Sequence, residues 1–281
     1  MSTSAPPDTE AQPKIKLYWL NDSRAQRIAW LLEELNLPYD IEIFRRGPDM
    51  LAPPELEQIH PLGKSPVVTI TLPPLDSQDP ATAKDCQTLV LAESGFITQY
   101  LAEHFGGDGS LLPKRYRAGE EGRLGGETDE WMRYQYYLHY AEGSLMPPLL
   151  VGLVLDILKS PRIPFFLRPI TSSVASKFQS AFLAPQLSKH LSFLASQLSS
   201  SPGPYLCGAH LTAADILMSF PLLVARQRVG KFSAGVGKGT LEEEFNGVWT
   251  YLERMEQGEG WKRAEERVKA AEEEVKGKGS A

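Results

Sequence analysis

Apolar and polar positions follow two rhythms along the first hundred or so residues. In "KIKLYWL", Ile15, Leu17 and Trp19 fall on one side at period two, and Tyr39, Ile41 and Ile43 do the same in "YDIEIF", so both segments are predicted strands. Between them Ile28, Leu31, Leu32 and Leu35 recur at helical spacing until Asn36 and Pro38 end the run, which gives a strand–helix–strand unit. A short helical turn near "PPELEQIH" follows, then a β-branched strand at 67–71, another strand near "TLVLAE", and a helix with Ile97, Tyr100, Leu101 and Phe105 on one face. The predicted order is βαβαββα, an α/β domain over 14–110. The connection across 73–87 is longer than a hairpin needs and rich in turn residues, which predicts a mobile surface insertion.

Strand periodicity stops after about Pro113, and an all-α domain is predicted over 114–276. Its signs are the aromatic "EWMRYQYYLHY", long helical segments near 171–199 and 212–230, and a charged end, "WKRAEERVKAAEEEVK", that suits a solvated helix. The most apolar stretch, "SLMPPLLVGLVLDIL", contains Pro147, Pro148 and Asp156 and is shorter than the roughly 20 residues that cross a bilayer, so it reads as a buried helix. No transmembrane segment is expected, while peripheral membrane association stays open because it needs no spanning helix. Residues 1–13 have neither a basic start nor an apolar run and are expected to form a disordered tail.

Composition narrows the function. The 281 residues are 42% apolar, enough for two cores, and 29 Lys and Arg against 35 Asp and Glu give a net charge of -6. Without a long basic run, a nucleic-acid partner is not expected. The two cysteines, Cys86 and Cys207, form no CxxC, which argues against a disulfide scaffold, a zinc site or a dithiol centre and suggests a reducing compartment. His60 has no second His or carboxylate to complete a ligand set, so no metal is expected.

Three short stretches carry candidate chemistry. Pro66 stands at the mouth of the 67–71 strand, where it can give no N–H to a ladder. Glu93 and Ser94 lie between a strand and a helix; unpaired N–H groups at a helix start suit a carboxylate, and an acidic side chain can hold an ammonium, although Ser94 also reads as a plain N-cap. In "NDSRAQR", Ser23 sits at the start of the first helix, and Ser23 with Gln26 also has capping-box spacing. Thr212 and Asp215 in "LTAADI" form a second such box and read as structural. The stripe of Trp131, Tyr134, Tyr137 and Tyr140 reads as core rather than site.

A βαβαββα unit with a proline before its third strand resembles the thioredoxin fold. With a helical domain behind it, the chain resembles a cytosolic-type glutathione transferase over roughly 14–260, through "LNDSRAQRIAWLLEELNLPYDIE", "PPELEQIHPLGKSPVV", "LAESGFITQYL" and "LTAADILMSFPL". Together with "YAEGSLMPPLL" these are most similar to the fungal subgroup that includes the endoplasmic-reticulum-associated yeast enzyme. The resemblance implies that Ser65–Pro66 is cis and that Ser65 pairs with the cysteinyl backbone of glutathione, a short strand addition. It also implies that Glu93 and Ser94 bind the γ-glutamyl end; Lys64, near the glycyl end, is a candidate partner for its carboxylate, although a solvated surface lysine is the commoner fate. The Ser-x-x-x-Arg spacing of Ser23 and Arg27 is similar to that of serine-type transferases and makes Ser23 the expected catalytic donor to the thiolate. Asn21 and Arg24 are rival donors, and Tyr18 lies too early on the first strand. The absence of cysteine from this turn argues against a cysteine nucleophile.

The implied protein is a cytoplasmic homodimer, with endoplasmic-reticulum association left open, that serves detoxification and stress responses. It joins the thiolate of glutathione, as co-substrate without a further cofactor, to small hydrophobic electrophiles, with peroxide reduction as a side activity. The competing reading is a non-catalytic binding or interaction module of the same shape.

Overall fold

The computed structural model describes residues 12–73, 87–106, 109, 111–229 and 239–278. The expected N-terminal tail and the 73–87 insertion fall almost wholly outside the described residues.

The first domain is built on a four-stranded sheet of β1 (Lys14–Leu20), β2 (Tyr39–Phe44), β3 (Val67–Thr71) and β4 (Thr88–Ala92) in the order β2-β1-β3-β4. β1 and β2 are parallel, so a crossover must join them, and α1 (Ala25–Glu34) supplies it. β3 pairs antiparallel with both β1 and β4. With α2 (Glu55–Ile59) and α3 (Ser94–Phe105), the predicted thioredoxin-like βαβαββα order is the observed one. The helical stripes become core: Ile28, Leu31 and Leu32 on α1 and Ile97 and Leu101 on α3 are buried with Leu17, Val68 and Ile70 of the sheet.

The second domain is helical: α4 (Asp129–Tyr140), α5 (Met146–Ile157), α6 (Arg168–Phe178), α7 (Ala184–Ser200), α8 (Ala213–Val229), α9 (Leu241–Glu244), α10 (Asn246–Glu256) and α11 (Glu259–Lys278). Five-residue π-helical turns join α4 to α5 (Ala141–Leu145) and α6 to α7 (Gln179–Leu183). Both run into proline, Pro147–Pro148 in one case and Pro185 in the other. A proline gives no N–H to the carbonyl four residues back, and the ladder loosens to i→i+5 bonds, Met146 to Ala141 and Ala184 to Gln179.

Because the prolines bend the hydrogen-bond pattern without ending the helix, 129–157 is one unit of 29 residues, long and apolar enough by length and composition alone to cross a bilayer. That differs from the reading of 144–158 as a separate short helix. Its inner side belongs to the bundle: Tyr134, Tyr137 and Leu149 are fully buried, and the aromatic stripe is core for the most part. Tyr140 shares a 2.6 Å hydrogen bond with His190 Nδ1, and the half-buried Trp131 lies under the Arg115 guanidinium.

The charged end also departs from expectation. The first half of α11 packs on α1 and β2 instead of standing in solvent. Trp261 meets Trp30 edge-on at 5.1 Å, Ala264 and Val268 are buried, and Arg267 lies 4.0 Å from the centre of the Tyr39 ring. Arg263 and Arg267 also pair with Glu33 at 3.3 and 3.4 Å. Trp261, Ala264 and Val268 form a thin apolar stripe among so many charges that the segment reads as polar all round.

Candidate functional site

A cavity of about 250 Å³ lies between the β3 and α3 edge of the first domain and the π turn at Glu142. Lys64, Ser65, Pro66, Glu93 and Ser94 all line it, joined by Arg24, His60 and Glu142. Five of the six expected site residues are therefore brought together. Ser23 is outside the lining, one contact away.

Each lining residue is placed by its element. The antiparallel register sets Tyr18 opposite Val67 and Val67 opposite Ala92, so the residues just before β3 and just after β4 come side by side. The Ser65–Pro66 bond is cis. Ser65 Oγ donates to the Tyr18 carbonyl at 3.1 Å, while neither backbone group of Ser65 has a partner among the described residues. That leaves a short free edge for an extended peptide.

Glu93 adopts φ 68° and ψ 111°, a left-handed conformation that costs a side-chain-bearing residue about 1–3 kcal/mol and tends to accompany ligand clamps. Its carboxylate is exposed and makes no hydrogen bond or ion pair among the described residues, and the first turn of α3 begins beside it. Ser94 is the first helical residue and not the cap. Its buried hydroxyl accepts from Arg27 Nη2 at 2.6 Å.

Arg27 is 1% exposed and donates to three elements: Ser94 on α3, the Leu217 carbonyl on α8 at 2.6 Å, and the Glu142 carboxylate. Arg24 Nε reaches both Glu142 oxygens at 3.0 Å. Burial lowers the Arg27 pKa to about 10, which still leaves it charged at neutral pH. For Glu142, burial works to raise the pKa, but the two guanidinium groups prevail and hold it below the usual carboxylate range. Glu142 escaped the sequence reading, although "YAEGSLMPP" and its two prolines marked the place. His60, set aside as a metal ligand, is also part of the lining.

Ser23 is 8% exposed and lies two residues ahead of α1. From there its Oγ accepts from the Ala25 N–H at 3.1 Å, a local turn, and the box with Gln26 does not form. Its Oγ is 3.4 Å from Ser65 Oγ. Of the rival donors, Asn21 is engaged at both ends, accepting from the Arg46 N–H at 2.8 Å and donating to Asp22 at 2.9 Å. Arg24 is held by Glu142. A larger cavity of about 660 Å³ near Glu34, Lys114 and His210 includes Cys207, but burial pushes that thiol pKa up and leaves it unsuited to act as a nucleophile.

Residues 23–104 match the glutathione S-transferase N-terminal domain family, and 158–262 match its C-terminal domain family. "Glutathione S-transferase 1" of Saccharomyces cerevisiae is 36% identical over 258 residues, which cover 92% of this chain and 97% of that protein. A solved glutathione S-transferase from Actinobacillus pleuropneumoniae superposes with a TM-score of 0.60 at 26% identity, covering 90% of this chain and 92% of that one. The glutathione transferase URE2P8 of Phanerochaete chrysosporium, crystallised with oxidized glutathione, shares the fold with a TM-score of 0.59 at 18% identity, covering 93% and 98%. With both domains matched in order and a relative aligned over nearly its whole length, the chain belongs to the glutathione S-transferase family.

Proposed function

We propose that this transferase binds reduced glutathione in the 250 Å³ cavity and transfers its thiolate to small hydrophobic electrophiles. The observation that carries the reading is one cavity holding both the free Ser65 edge and the unpaired Glu93 carboxylate beside the start of α3. The cysteinyl backbone pairs with Ser65, and the γ-glutamyl ammonium meets Glu93 while its carboxylate faces the N–H groups of α3. Lys64 takes the glycyl carboxylate. The Ser65 hydroxyl donates to Tyr18, and Ser23 Oγ accepts from Ala25, so the Ser23 hydroxyl proton, directed at Ser65 Oγ over a long 3.4 Å contact, is the one that turns to sulfur when glutathione is bound. The thiolate then attacks the electrophile and the leaving group departs with its electron pair; the same thiolate reduces organic peroxides.

The burial of Ser23 favours the second reading, a binding module that holds glutathione without activating it. Calorimetric titration with glutathione, with ultraviolet detection of bound thiolate against pH, separates the two. A bound thiol with its pKa lowered by about one unit, corresponding to ~1.4 kcal/mol, is expected, and Ser23→Ala should restore it. Glu93→Gln should weaken binding about tenfold or more by losing a charged hydrogen bond. Binding with an unshifted thiol pKa leaves the module that holds glutathione, and no binding sinks the transferase and leaves an interaction module of the same shape.

The chain acts as a two-fold dimer in this reading. Phe96 on α3, Val90 on β4 and Met132 and Tyr136 on α4 are exposed apolar or aromatic side chains that a partner would cover. Light scattering should return twice 31.2 kDa, and a monomer mass would refute the assembly.

A further inference from the structure

The chain is acidic overall, yet no Asp or Glu occurs between Asp156 and Asp215, a stretch that contains Lys159, Arg162, Arg168, Lys177 and Lys189. The first part of this stretch forms a hairpin. The end of α5 is tied to α6 and the π turn after it by Thr171 Oγ1 donating to the Leu158 carbonyl at 2.7 Å and by Gln179 Nε2 donating to Asp156 at 2.9 Å. Asp156, the acid at its edge, is neutralised by Arg228.

The same hairpin carries much of the exposed apolar surface. At its tip Phe165 and Phe166 are 80% and 65% exposed, with ring centroids 5.7 Å apart. Along α6, Ile170, Val174 and Phe178 repeat at i, i+4 and i+8 toward solvent, and Leu153 and Val154 are exposed on α5. A soluble monomer rarely shows a continuous apolar face of this kind. Arg162 and Lys177, both exposed and without an ion-pair partner among the described residues, lie three residues before Phe165 and one before Phe178 in the chain.

We propose that the α5–α6 hairpin docks on an anionic phospholipid bilayer, with Phe165 and Phe166 inserted at headgroup depth and Arg162 and Lys177 against the phosphates. Aromatic and aliphatic side chains flanked by cations, with acids excluded, suit that interface. A second copy suits it less, because a two-fold contact would set a rim whose one acid, Asp156, is already paired, and whose other charges are cationic, against itself. Leu150 belongs both to the lining of the glutathione cavity and to the exposed side of α5, so the docked face runs to the mouth of the site. A hydrophobic electrophile dissolved in the bilayer would then have an apolar route to the cavity.

The test is co-sedimentation of the full chain with vesicles of phosphatidylcholine alone and of phosphatidylcholine mixed with phosphatidylserine. Wild type should bind the mixed vesicles at least tenfold more strongly, since each cation near the surface adds about fivefold. Phe165→Ser with Phe166→Ser should lose at least tenfold on mixed vesicles, and Arg162→Glu with Lys177→Glu should abolish the preference, both with wild-type melting temperature and glutathione titration. No wild-type binding to mixed vesicles, or unchanged binding by both variants, would overturn the proposal. Conversion of a dimer to a monomer by the phenylalanine variant would also overturn it and assign the face to a second copy. The docking itself is independent of the transferase reading, and only the electrophile route rests on it, so failure to bind glutathione would remove that route and leave the docking standing.

Discussion

Asp215→Ala is expected to remove about 4 kcal/mol of stability and to lower the melting temperature by roughly 10 °C. Asp215 is fully buried, and its carboxylate accepts from the Leu206 and Thr212 N–H groups, both at 2.9 Å, from Thr212 Oγ1 at 2.6 Å and from the Tyr251 hydroxyl at 2.7 Å. Alanine leaves these donors buried and unsatisfied, at about 1–3 kcal/mol for each that water cannot reach. The carboxylate does more than cap α8. It pins the loop before that helix and the side of α10, so its loss reaches three segments of the second domain. Asp215→Asn keeps the shape and one acceptor and should fall between the two in a scanning calorimetry comparison. An alanine variant that melts within about 2 °C of wild type would show that the network is not what holds these segments.

Arg27→Met should cost about 3 kcal/mol, or roughly 8 °C, and should also weaken glutathione binding. Methionine fills much of the volume but leaves the Leu217 carbonyl and Ser94 hydroxyl without their buried donor. Breaking a buried ion pair from one side costs ~3–5 kcal/mol, and the lower end applies because Glu142 keeps Arg24. The pH dependence supplies a second readout. Glu142 binds a proton less readily when folded than when unfolded, so its contribution is complete above its ordinary value of 4.5 and is lost as the pH falls through the lower folded value. Removing Arg27 takes away much of the attraction that opposes burial, and the acid loss should begin at higher pH. An acid limb identical to that of wild type would count against the pair. Unchanged glutathione affinity would separate the buried cluster from the ligand.

The sequence made the first domain legible because its periodicities agree with its turns. Alternation in β1 and β2, a clean helical stripe in α1 and a proline at the mouth of β3 all point to one topology, and no element competes with another. Lys64, Ser65, Pro66, Glu93 and Ser94 came with it, since they sit at the joints of that topology. Ser23 was harder to read because a hydroxyl before a helix has several N–H groups within reach, and which one it takes depends on where the helix starts. Glu142 lay beyond local reading. Its role depends on a helix of the second domain crossing over the first, and only tertiary packing brings 142 to 24 and 27. α11 misled for a related reason: a narrow apolar stripe carries little weight in a charged segment until the surface it covers is known.

The docking of α11 bears on how the chain is made. Arg263 reaches back to Glu33 across a separation of 230 residues, so the helix that covers α1 and β2 is synthesised long after them. During translation the first domain emerges long before its cover and must hold Trp30 and Tyr39 against water, or against a chaperone, until α11 leaves the ribosome. A premature stop anywhere in the second domain would therefore strip apolar surface from the first.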